Sequence, residues 1–157
     1  MKKRSKKTPV RSALRAESAL LPLVKNGMEA VQKKDRALFD TTIRLAFSDS
    51  LELDDAVKLG REQENRWDYL LGHDPSGDVV AIEPHSAKTD EITTVIKKKS
   101  AAREQLKAHL AEGKRVTRWL WVASGKVHFA DTEKTRRLLD QQGIQFVAPR
   151  VAAKHLL

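Results

Sequence analysis

Cysteine is absent from the 157-residue chain. That excludes a disulfide framework, a thiolate zinc site and a cysteine nucleophile, and it fits a reducing compartment, so a cytoplasmic location is expected. No apolar run approaches the roughly 20 residues that a membrane-spanning helix needs, and no membrane association is expected. The basic start leads into Thr8, Pro9 and Arg11 rather than an apolar segment, so it does not read as a signal peptide. Two glycine signatures are missing as well. The GHDPSG stretch ends without the lysine and hydroxyl of a phosphate-binding loop. Ser124–Gly125 lacks the upstream glycine of a nucleophile elbow. The length suffices for one core plus a tail and is too short for two ordinary domains.

Negative charge is also missing at the start. Lys2, Lys3, Arg4, Lys6, Lys7, Arg11 and Arg15 precede the first acid, Glu17, and supply seven of the +9 formal net charge. Residues 1–15 therefore read as a disordered basic arm and 16–157 as a single domain. Such an arm gains affinity for phosphate backbones through counterion release without reading sequence, which makes DNA or RNA an expected partner. It equally suits a solubilising tail or a docking segment for an acidic protein partner.

Along the remainder, hydrophobic spacing predicts a broken helix over 12–31, interrupted by Pro22 and Gly27. A better-patterned helix is predicted from Asp35 to Phe47, with Asp35 as its N-cap, and another over 51–65. After a hairpin over 66–88, Ser86, Thr89 or Asp90 can cap a long helix to about Leu110. On its wheel, Ile92, Ile96, Leu106 and Leu110 line one face, and Lys99 and Arg103 fall near the centre of that stripe. A cation there must snorkel out, find an acid or face an anionic site. VTRWLWVA, 116–123, has the continuous apolar character of a central strand, in which Trp119 and Trp121 read as core residues. Ser124–Gly125 then suggests a tight turn into KVHFA, a second hairpin. A helix capped by Asp131 or Thr132 and stopped at Gly143 precedes the last strand, IQFVAPRV. This order predicts an α/β or α+β fold with a mixed sheet.

The chemistry concentrates in RWDYLLGHDPSGDVVAIEPHSAK, 66–88. Trp67, Tyr69 and Leu71 alternate against Val80 and Ile82 across a polar turn. If Asp74 to Gly77 is the whole loop, Tyr69 opposes Ile82 and Asp68 opposes Glu83. Arg66, Asp68, Leu70, Ala81, Glu83 and His85 then share one face. Two opposed carboxylates repel unless a cation or proton sits between them. A bulge at Gly77 is the alternative, and a one-residue slip sends the two acids to opposite faces. His73, Asp74 and Asp78 cluster at the tip, where turn chemistry accounts for the aspartates. His109, His128 and His155 lack acidic or serine partners at motif spacing.

A helix-rich opening, WDYLLG, a turn, VVAIEPH, a long amphipathic helix and VTRWLWVAS together resemble the core of the PD-(D/E)XK nuclease superfamily, over roughly Asp35 to Val127. The resemblance implies a mixed central sheet with helices on both faces and a restriction-endonuclease-like core. In that family an acid opens one core strand and an acid-x-lysine trio ends the next. Asp68 matches the first acid and Glu83 the second, and His85 stands where the family has lysine. The resemblance implies a magnesium-dependent nuclease in which Asp68 and Glu83 hold the metal. His85 could orient the attacking water as a general base. Lys88, Lys99 or Arg103 could instead supply the missing cation. Nucleic-acid contacts are expected from the arm, Lys99 and Arg103. Two alternatives remain open: a non-catalytic nucleic-acid-binding module, and a protein-interaction module.

Overall fold

A computed structural model describes residues 7–88, 91–127 and 133–156 of the chain. Its centre is a sheet whose strands follow one another in sequence order: β1 (Lys25–Asn26), β2 (Phe47–Glu52), β3 (Tyr69–His73), β4 (Asp78–Ala87), β5 (Arg118–Val127) and β6 (Ile144–Val147). Strands β1 to β4 are antiparallel, whereas β4, β5 and β6 run parallel. Parallel neighbours need a crossover, and α4 (Glu91–Leu106) and α5 (Glu133–Gln141) supply the two. The mixed-sheet α/β expectation is met.

Each face of the sheet buries its own cluster. On one, Leu70, Ala81, Trp119 and Trp121 meet α4, α5 and the short helices α1 (Pro9–Ala13) and α3 (Leu53–Val57). On the other, Tyr69, Leu71, Val80, Ile82, Leu120 and Val122 meet Val31, Phe39, Ile43, Val151 and Leu156. Those come from the segment holding α2 (Lys33–Arg36) and a 3-10 turn (Thr41–Ala46), from Val151, which bridges to Phe39, and from the C-terminal 3-10 turn (Ala153–Leu156).

Several expectations need correction. The basic arm was expected to reach residue 15, but Val10, Ala13 and Leu14 are buried and Pro9–Ala13 is helical. Lys2, Lys3, Arg4 and Lys6 lie outside the described residues. The predicted helices over 35–47 and 51–65 reduce to short pieces, α2 and the 3-10 segment Thr41–Ala46 in the first and α3 in the second, and Phe47–Glu52 between them is a strand. Two of its polar residues, Asp49 and Ser50, point inward as acceptors. Asp49 is fully buried and accepts the amides of Val10 at 3.1 Å and Arg11 at 2.9 Å, capping α1, while Ser50 Oγ accepts the Ala30 amide. Gly72 pairs with Asp49, and a β-carbon there would stand 1.9 Å from Asp49 Oδ1. The expected broken helix over 12–31 is a 3-10 turn (Leu21–Leu23) followed by β1.

Ser124–Gly125 does not turn the chain into a second hairpin: β5 continues to Val127 parallel to β4, and the register shift between His85 and Ala87 takes up the extra residues as an irregularity in the strand. The proposed caps Thr89, Asp90, Asp131 and Thr132, together with His128, lie outside the described residues. Among the described residues no helix is long and apolar enough to cross a membrane.

Candidate functional site

The β3–β4 hairpin adopts the register obtained with a four-residue loop: His73 faces Asp78 and Tyr69 faces Ile82. Gly77 closes the loop with φ +74°, a conformation glycine accommodates, and donates its amide to His73 O. The same parity brings Asp68 and Glu83 together. Trp67 departs from the expected alternation and packs edge-on against Trp119, with ring centroids 5.0 Å apart.

Glu83 has no solvent exposure, and three groups hold it. Its Oε1 accepts the Asp68 backbone amide at 3.0 Å. Its Oε2 takes an ion pair from Lys98 Nζ at 2.6 Å and lies 3.3 Å from His85 Nδ1. Lys98 Nζ also stands 4.0 Å from Asp68 Oδ1, so one ammonium serves both acids. His85 Nε2 in turn meets Glu91 Oε2 at 2.8 Å. The result is a chain of alternating charge: Glu91, His85, Glu83, Lys98, Asp68.

The electrostatics follow from this order. Burial, reinforced by the neighbouring Glu83 charge and opposed by Lys98, pushes the Asp68 carboxyl up to about 7. The hydrogen bond to Glu83 raises the His85 imidazolium above its usual range, against burial and with help from Glu91. The His85 contact correspondingly lowers Glu91. Beside Asp68 opens a cleft of about 420 Å³ whose walls include Asp35, Glu52, Asp54 and Lys34. Tyr69 closes its floor by donating to Asp35 Oδ2 at 2.5 Å.

Lys98 escaped the sequence reading. The stripe that α4 buries is Ile92, Val95, Ala102, Gln105 and Leu106, so Lys98 lies three residues after Val95 and four before Ala102. It is the charged residue at the centre of that stripe. The wheel drawn through Ile96 and Leu110 had shifted the centre by one position. Lys99 lies instead over the Trp119 ring, 5.4 Å from its centroid, and donates to the Gln142 carbonyl at the end of α5. Arg103 and Lys88 are exposed. Arg11 bonds Thr8 Oγ1 and the Val24 carbonyl. At the hairpin tip His73 Nδ1 pairs with Ser76 Oγ, and Asp78 accepts from Thr117.

Magnesium is the metal that the resemblance implies, and the donor set suits it in kind. Two hard carboxylate groups flank a point where a cation, the Lys98 ammonium, already sits. Among the described residues no three His, Asp or Glu side chains converge as a metal site. Asp68 and Glu83 are the carboxylates that would hold the ion, and both Glu83 oxygens already have partners, the Asp68 amide on one and Lys98 on the other.

Fold and site thus define a mixed α/β domain with a buried carboxylate–lysine–carboxylate cluster beside an acidic cleft. No protein-family model matches the chain, and neither a curated protein nor a solved structure matches it.

Proposed function

We propose that the protein is a magnesium-dependent nuclease of the PD-(D/E)XK kind, hydrolysing phosphodiesters in DNA or RNA. The observation that carries this reading is the convergence of Asp68 and Glu83 on one cation position, with Lys98 beside both. Asp68 and Glu83 would hold the ion, which supplies Lewis-acid stabilisation of phosphate charge and acidifies a bound water. Lys98, arriving from α4, supplies the cation missing from the acid-x-lysine trio, and once off Glu83 it can orient water or phosphate. His85 has both ring nitrogens engaged, by Glu83 and Glu91, so it serves to hold Glu83 rather than as a free base. The seven positive charges ahead of Glu17 suit attraction of a phosphate backbone, and the absence of cysteine suits a cytoplasmic setting.

The experiment is cleavage of labelled single- and double-stranded DNA and RNA with and without magnesium. Wild-type protein should cut only with the metal, and Asp68→Ala and Glu83→Ala should each abolish cutting. Undiminished cleavage in both variants refutes the assignment. One observation favours a second reading: the Lys98–Glu83 pair already neutralises the buried acid without a metal. A non-catalytic module that binds nucleic acid, or an acidic protein through its basic start, would show salt-steep binding and no metal-dependent cut.

A further inference from the structure

We propose that Lys98 is an internal counter-ion that competes with a divalent cation for Glu83, so that the site loads metal only as this ammonium leaves the pair. The inference rests on the metal reading above and adds a regulation to it. A fully buried carboxylate must be neutralised, because an unpaired buried charge is expensive. Lys98 does this for Glu83 at 2.6 Å and reaches toward Asp68 at 4.0 Å, so its ammonium lies between the two carboxylates that would hold the ion. Two cations cannot share that point without strong repulsion at interior dielectric values.

Geometry supplies both the exit and the destination. The Lys98 side chain keeps 18% of its surface in solvent while Glu83 keeps none, so the lysine is the mobile member of the pair. Lysine carries its charge on a flexible four-carbon stem. The Asp68 side chain, 30% exposed, borders the cleft whose walls carry Asp35, Glu52 and Asp54. An ammonium displaced from Glu83 toward that cleft meets further carboxylates. Glu83 stays put, because the Asp68 amide and His85 hold it independently of Lys98.

The test measures manganese binding by electron paramagnetic resonance on the full chain, comparing wild type with Lys98→Met and Lys98→Arg. Removing the competing charge should tighten manganese binding by about tenfold or more, and the arginine variant should bind like wild type. Equal or weaker binding by Lys98→Met, with wild type binding normally, overturns the competition and leaves the metal reading standing. Failure of both proteins to bind overturns the metal reading itself. Should Lys98→Met not fold, acetylation of Lys98 in wild-type protein, followed by mass spectrometry, gives an independent measure. Saturating magnesium should raise its reactivity several-fold, and an unchanged or lowered reactivity overturns the proposal.

Discussion

Beneath residues 31–46 and 151–156, the sheet buries Leu71, Val80, Ile82, Leu120 and Val122, and among the described residues the one buried ionisable group on this face is the Tyr69 hydroxyl, which reaches out to Asp35. Beneath α4, the opposite face of the same strands buries Glu83 and brings Lys98, Asp68 and His85 against it. The first interior is held by area removed from water and by shape, which many apolar side chains satisfy. The second is held by specific partners, each of which becomes a liability when the other is removed. Evolution of a stable domain does not require the second arrangement.

The largest break in this contrast should come from Glu83→Ala. It strands Lys98 and His85 around an empty interior position and should cost about 3–5 kcal/mol in urea unfolding. Replacing both partners, as Glu83→Leu with Lys98→Met, should recover most of that loss. A single-variant loss under about 1 kcal/mol would show that Lys98 simply turns into water. On the opposite face, Leu120→Ala should cost about 2–5 kcal/mol through lost burial and a cavity, and no charge substitution should restore it.

Acidity separates the faces by a smaller amount. Between about pH 4 and 7 the folded protein keeps a proton on Asp68 that the unfolded chain has released, so stability falls as pH rises through that window. The raised His85 acts in the same sense: its stabilisation is complete below its unfolded value and is lost as pH rises through the folded one. Wild type and Asp68→Asn should therefore have similar unfolding free energies near pH 4. The variant should be more stable by about 1–2 kcal/mol at pH 8, after allowance for solvent screening at the exposed edge of Asp68. Parallel stability curves would remove Asp68 from the titrating network.

The β3–β4 hairpin was legible because alternation and a polar turn are local signals. Counting residues across the loop left two registers, and the structure adopts the four-residue loop that brings Asp68 and Glu83 together. The α4 crossover and the apolar strand β5 were legible for the same reason. The segment Phe47–Glu52 was not, because Asp49 and Ser50 are polar residues turned inward to bind the amides of Val10, Arg11 and Ala30. Periodicity counts a buried polar ligand as an exposed one. The split reading of β5 failed similarly, since a serine and a glycine resemble a turn unless tertiary pairing carries the strand through them.

By itself, the sequence determined the hairpin around DPSG with Tyr69 and Leu71 alternating against Val80 and Ile82, and the requirement that a cation inside an apolar helical stripe snorkel out, find an acid or face an anionic site. Which cation does so was decided by tertiary structure. The rotation of α4 on the sheet turns Val95, Lys98 and Ala102 inward and leaves Lys99 to the end of α5. Neighbouring helical residues differ in direction by about 100°, so a rotation of that size, set by packing against Trp119 and Trp121 and invisible along the chain, selects the lysine that meets Glu83.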